Sequence, residues 1–227
     1  MSKPLTIERN GPVARLTLHG VLDERALADA CGALADDAEV RTVVVTGAAG
    51  EVDVAHDPFE CVAALPMPVV AAVSGEVSGG TLALALAADI RIAGEGARFG
   101  VPEVAQGRLP APGTIARLVR LVGPGDAARL VLTGDAIDAA EALRIGLVSE
   151  VALDAVTRAD EIAQRIAERG PIAVRYAKEA VSRGLEMALE QALRFETDLT
   201  VILQATEDRA EGVRAFLDKQ QPKFKGK

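Results

Sequence analysis

The stretch SGGTLALALAADIRIA, residues 78–93, decides how this chain folds. Leu and Ala alternate from residue 82 to residue 87, and a period of two usually indicates a half-buried strand. Here both alternating residues are apolar, neither is β-branched, and both are strong helix formers. We therefore predict a helix buried on nearly all sides over residues 79–88, followed by a strand over 89–93. A helix that begins at two glycines presents backbone amides and a partial positive charge, which suit a developing anion.

Strands and helices alternate on both sides of this stretch. The patterns predict strands over 13–18, 41–46, 68–73 and 147–151, and helices over 23–36, 113–121, from 124 onwards, and 138–145. Such alternation is typical of an α/β core. From about residue 153 the pattern becomes helical, with helices predicted over 154–169, 171–183, 186–205 and 207–219. We therefore divide the chain into an α/β core, residues 1–165, and a helical region, residues 166–227.

Composition excludes several functional classes. The net charge of −8, the absence of Trp and the single Tyr argue against nucleic-acid binding. No apolar run approaches 18 residues, so we expect no membrane insertion, and a cytoplasmic location is the simplest interpretation. The two cysteines have neither metal nor redox spacing, so we expect no bound metal and no disulfide framework.

A series of short motifs follows in order along residues 40–227. They are VVVTG (43–47), MPVVAAVSG (67–75), the glycine pair 79–80, ADIRIA (88–93), FGVPE (99–103), LVRLVG (118–123), LTG (132–134), GLV (146–148), AKEA (177–180) and the segment 206–227. Together they resemble the crotonase family, the enoyl-CoA hydratases and isomerases; residues 1–40 match it only loosely. The resemblance implies an α/β spiral of ββα units with a helical C-terminal trimerisation region, and a homotrimer or hexamer. It also implies an acyl-CoA thioester as substrate, a place in fatty acid metabolism, and no separate cofactor, because coenzyme A is part of the substrate.

The same resemblance assigns site residues. The thioester oxygen would be held by two backbone amides, those of Gly79 and His56, and Gly80 would also contact the substrate. Lys219 or its neighbours would pair with the 3′-phosphate of coenzyme A, although the default interpretation of these lysines is a solvated tail. For the glycine pair the simpler interpretation is a tight turn, and for His56 it is a loop residue that contributes only its backbone.

Hydratases of the family carry two glutamates, one on the buried helix and one after the FGxP motif. Ala83 occupies the first position here, and Glu103 occupies the second. A single acid suffices to move a proton from C2 to C4, so we predict a Δ3-to-Δ2 enoyl-CoA isomerase with Glu103 as its catalytic residue. Glu103 could instead merely stabilise a helix start. Residual hydration with Glu76 or Asp53 as a stand-in is a further alternative, although the spacing of these residues does not support it. The alternative function is a catalytically silent homologue or subunit that binds acyl-CoA.

Overall fold

The computed structural model describes residues 3–50, 52 and 54–227. Over these residues it contains the strands β1 Leu5–Asn10, β2 Val13–His19, β3 Thr42–Ala48, β4 Val69–Val73, β5 Glu76–Val77, β6 Ile90–Gly94, β7 Arg98–Phe99, β8 Ile137–Asp138 and β9 Glu150–Ala152. The helices are α1 Glu24–Asp36, α2 Glu60–Ala63, α3 Gly79–Ala87, α4 Thr114–Thr133, α5 Ala139–Arg144, α6 Ala155–Ala167, α7 Pro171–Gly184, α8 Leu189–Gln204 and α9 Glu207–Leu217, with a 3-10 helix at Pro102–Gln106. The α/β prediction is therefore confirmed.

Two sheets organise the core. The large sheet has the order β1-β2-β3-β4-β6-β9, and only the β1–β2 pair in it is antiparallel. The small sheet has the order β5-β7-β8, with β5 and β7 parallel. Because side chains alternate along each strand, neighbouring residues enter different layers. Val43 and Val45 pack into the layer that contains α3, whereas Val44 packs against α6 on the opposite face.

The predicted helix after the glycine pair is confirmed as α3. Every residue from Gly80 to Ala87 is buried, so the helix is enclosed on almost every side. This explains why its sequence lacks the polar face of an ordinary surface helix. The helix lies between the large sheet and α4, which fixes its first turn against the rest of the core.

Helix α6 covers the other face of the large sheet through a stripe of alanines. These alanines recur every fourth residue, and all four are buried: Ala155, Ala159, Ala163 and Ala167. They pack against Val44, Val70 and Ile92. The predicted division of the chain after residue 165 falls inside this helix, and it stays a prediction.

The helical region is tied to the core by polar contacts. Lys178 on α7 lies 2.8 Å from an Asp89 oxygen and donates to the Met67 carbonyl. Asp208, which is buried at the start of α9, accepts hydrogen bonds from the backbone amides of Lys225 (2.6 Å) and Gly226 (2.8 Å). The last residues of the chain therefore lie back against α9 in an ordered path.

No helix in the described part of the chain is both long and apolar enough to cross a bilayer.

Candidate active site

A cavity of about 300 Å³ lies where the loop after β3, the start of α3 and the 3-10 helix meet. Its described lining consists of Ala48, Gly50, Val52, Glu76, Ser78, Gly79, Thr81, Pro102, Glu103, Gln106 and Arg108. Two of the predicted site residues, Gly79 and Glu103, are therefore brought together here. A larger cavity, of about 690 Å³, lies between α6 and α7, and its described lining contains none of the predicted site residues.

The first turn of α3 forms one wall of the cavity. Ser78 precedes the helix in an extended conformation, and its side chain makes no capping hydrogen bond. Gly79 then has a φ of 54°, a left-handed conformation that glycine adopts without steric cost. The chain thus turns sharply into the helix at the cavity wall, where the positive end of the helix dipole faces the space inside.

Gly80 has a different role from Gly79. Its amide donates to the Gly50 carbonyl at 2.8 Å, and the neighbouring Thr81 hydroxyl accepts from the Ala49 amide at 3.1 Å. A Cβ at residue 80 would lie 2.8 Å from the Gly50 oxygen and 2.6 Å from a Val52 methyl group. Gly80 therefore allows the loop after β3 to lie directly on α3. Gly80 is not among the described residues that line the cavity, and its predicted contact with substrate stays a prediction.

Glu103 enters the cavity from the 3-10 helix. Pro102 begins that helix, and Gly107, in a left-handed conformation, ends it. The Glu103 side chain is only 8% exposed, and its Oε2 atom finds no hydrogen-bond partner among the described residues. A buried carboxylate oxygen without a partner carries a substantial desolvation cost. Such a group is a strong candidate for contact with a ligand or a reacting proton.

His56 lies elsewhere. Its ring Nε2 is 2.8 Å from a Glu24 carboxylate oxygen, and its side chain is 67% exposed. The adjacent Asp57 accepts from the Phe59 amide at 3.0 Å and pairs with Arg117 on α4. These contacts direct the segment toward α1, α2 and α4. Within the part of the chain that the structure describes, His56 is not among the residues that line the cavity, and the predicted role of its backbone amide stays a prediction.

Lys219 and the two alternative acids also have distinct positions. Lys219 is exposed after the end of α9, with a φ of 54°, and it lies outside the described lining of the cavity. Asp53, one acid considered as a stand-in, lies outside the described residues. Glu76, the other, lines the cavity. Ala83 faces the packed interior at 1% exposure.

Sequence reasoning missed most of the remaining wall. Gln106 and Arg108 line the cavity from the residues that follow Glu103. The Arg108 guanidinium donates to the Gln106 side-chain oxygen, so the two side chains form one polar edge. Their closeness in sequence to the FGVPE motif was the only available signal.

The structure is therefore an α/β protein in which a buried helix starts at a cavity and a buried carboxylate lies in the same lining, which makes the cavity a candidate acid–base site. The comparisons with known proteins make this more specific. The enoyl-CoA hydratase/isomerase family matches residues 53–227, and the chain belongs to that family. The predicted crotonase-like fold, and the prediction that the protein is an enzyme of this type, are thereby confirmed.

Several relatives extend the match over nearly the whole chain. The 2,3-dehydroadipyl-CoA hydratase of Escherichia coli is 37% identical, over 98% of this chain and 95% of the relative. The short-chain-enoyl-CoA hydratase of Clostridium acetobutylicum is 35% identical, over 94% of each. The crystal structure of enoyl-CoA hydratase from Bacillus anthracis superposes with a TM-score of 0.92 at 32% identity, covering 99% of this chain and 100% of that one.

Proposed function

We propose that the protein isomerises a Δ3-enoyl-CoA to the Δ2-enoyl-CoA, with Glu103 as the group that moves the proton. The thioester oxygen would lie against the Gly79 amide at the start of α3. Glu103 would take the proton from C2, which gives a dienolate, and would return it at C4. The double bond then moves from C3–C4 to C2–C3, and no proton is gained or lost overall.

One observation carries this proposal. Glu103 places a buried, unpartnered carboxylate oxygen in the same cavity as Gly79, while residue 83 of the helix bears no acid. The negative charge that develops on the thioester oxygen would meet the positive end of the α3 dipole. In comparable sites, one preorganised donor is worth about 2.7–4 kcal/mol. Because His56 does not line the cavity among the described residues, the proposal relies on Gly79 for this oxygen.

The test is to follow the conjugated thioester absorbance after addition of 3-hexenoyl-CoA. Glu103→Gln should reduce the isomerisation rate by about 10²–10⁴-fold, because an amide of the same shape cannot act as a base. Its affinity for a saturated acyl-CoA should stay within a few-fold of wild type. Glu168→Gln, at an exposed position after α6, is the matched control. A fully active Glu103→Gln protein would remove Glu103 from the mechanism. A wild type that binds acyl-CoA without turnover would instead favour the silent-homologue alternative.

We also propose that the chain assembles as a homotrimer or a hexamer through its helical region. Helices α8 and α9 expose large apolar side chains, among them Leu189 at 75% and Phe216 at 81%. Exposed apolar surface of this extent indicates an interface with another chain. Light scattering at micromolar concentration should give three or six times the 23.6 kDa chain mass. A monomer under those conditions would contradict the assembly.

A further inference from the structure

We infer that Glu76 is a second catalytic residue of this cavity, one that handles the proton of a water molecule added to, or removed from, the acyl chain. The inference rests on the proposed function, because it takes proton removal at C2 by Glu103 as the shared step. It adds a second reaction at the same site. It also assigns that reaction to an acid that comes from β5 and not from the buried helix.

The backbone before α3 places Glu76 in the lining of the cavity. Residues 76 and 77 form β5, and Ser78 continues in an extended conformation. Alternate residues of an extended segment share a face. Val77 is fully buried in the core, so Glu76 and Ser78 both face away from the core, and both line the cavity. Glu76 thus lies three residues before Gly79, on the same wall.

The small sheet brings the two acids together. β5 pairs with β7 in parallel register, with Glu76 opposite Arg98. The chain then runs from β7 directly into the 3-10 helix that carries Glu103. Glu76 and Glu103 are 27 positions apart in the sequence. The pairing of β5 with β7 nevertheless brings both into the lining of one cavity.

The surroundings of Glu103 and Glu76 differ, and this difference gives the two acids different roles. Glu103 is buried, with one oxygen unpartnered among the described residues. The Glu76 side chain is 75% exposed, and its Oε1 lies 3.8 Å from the Arg98 Nε. Glu76 can therefore exchange protons with solvent, while Glu103 faces the protected interior where a carbon acid would bind.

The chemistry balances with these two groups alone. With a 3-hydroxyacyl-CoA, the Glu103 carboxylate takes the C2 proton, and the resulting enolate is held at the thioester oxygen. The C3–O bond then breaks, the C2=C3 bond forms, and protonated Glu76 gives its proton to the departing hydroxide, which leaves as water. Solvent returns a proton to Glu76 and accepts the one held by Glu103. The reverse sequence adds water to a Δ2-enoyl-CoA.

Two assays on the same variants separate this inference from the proposed function. Crotonyl-CoA reports hydration by loss of its conjugated absorbance, and 3-hexenoyl-CoA reports isomerisation by gain of such absorbance. Glu76→Gln should lower hydration by at least about 100-fold and should lower the ratio of hydration to isomerisation by a similar factor. Glu103→Gln should lower both by about 10²–10⁴-fold. Because Glu76 is exposed, the fold should be kept, which a melting curve checks. Glu76→Asp, which keeps the carboxylate, should retain part of the hydration rate.

Each other outcome is informative. If wild type isomerises but does not hydrate, or if Glu76→Gln hydrates at the wild-type rate, then Glu76 is not the second acid and the isomerase proposal stands. If Glu76→Gln loses both reactions equally while still melting like wild type, then Glu76 acts on binding or on the shared step, and the inference is wrong. If wild type performs neither reaction, both proposals fail together.

Discussion

Replacing Gly80 by Ala is the sharpest test of how the cavity wall is built. An added Cβ would meet a Val52 methyl group at 2.6 Å and the Gly50 and Ala49 carbonyl oxygens at 2.8 and 3.0 Å. Two of these three atoms belong to the backbone, so no side-chain rotation relieves the contact. The loop after β3 must therefore move away from α3.

The expected magnitude follows from three contributions. Overpacking a tight site costs about 1–3 kcal/mol. Losing the 2.8 Å bond from the Gly80 amide to the Gly50 carbonyl costs about 1 kcal/mol. Replacing glycine by alanine within a helix offsets about 1 kcal/mol. The net loss is about 2 kcal/mol, which corresponds to a fall in melting temperature of about 4–8 °C for a chain of this size.

Differential scanning calorimetry on Gly80→Ala and Gly32→Ala measures this directly. Gly32 is exposed within α1, and a Cβ there would meet nothing within 4 Å. That variant should melt about 2–4 °C above wild type, because only the helix-propensity gain of about 1 kcal/mol remains. The reasoning is refuted if Gly80→Ala melts at or above the wild-type temperature, or if the two variants shift together.

Three further expectations concern other parts of the molecule. Ala83→Glu should lower the free energy of unfolding by about 3 kcal/mol or more without raising hydration, because the new carboxylate enters a tightly packed helix; a robust gain in crotonyl-CoA hydration would contradict this. Lys219→Ala should weaken binding of coenzyme A about fivefold and leave dephospho-coenzyme A unaffected, as calorimetric titration would show; equal affinities of the variant and wild type for both ligands would remove the 3′-phosphate contact. Iodoacetamide should label Cys61 before Cys31. The hydrogen bond between the two thiols lowers the pKa of Cys61, and the same bond together with burial raises the pKa of Cys31. Mass spectrometry showing the opposite order of labelling would contradict this expectation.

The regular elements were readable from the sequence because their patterns are local. The Leu/Ala run predicts α3, and Asp138 predicts the start of α5, where it accepts from the Glu141 amide at 2.8 Å. The helix predicted over 113–121 and the one predicted from 124 are both present, and they meet within α4 at Gly123, whose φ of 76° and ψ of 169° are not helical. The exposed strand β1 was missed, since four of its six residues face solvent and give no apolar alternation.

Only some of the residues that line the cavity could be predicted from the sequence, because the cavity wall depends on contacts between distant segments. Gly79 and Glu103 belong to motifs with strong sequence signatures. Glu76 belongs to a strand of only two residues, whose position is set by pairing with β7. No pattern of two residues predicts such a pairing. The place of His56 is likewise decided by its contact with Glu24 and by the Asp57–Arg117 pair, which lie outside its own motif.

The strand order of the large sheet also bears on how the chain folds during its synthesis. β2, β3, β4, β6 and β9 lie side by side in the order in which the ribosome makes them. Each newly synthesised strand therefore meets an edge that its predecessor has already formed, which limits the search for long-range pairs. The face that contains Val44, Val70 and Ile92 is covered only when the alanine stripe of α6 arrives. Nascent chains that end before residue 155 should accordingly be the ones that chaperones bind and that aggregate when released early.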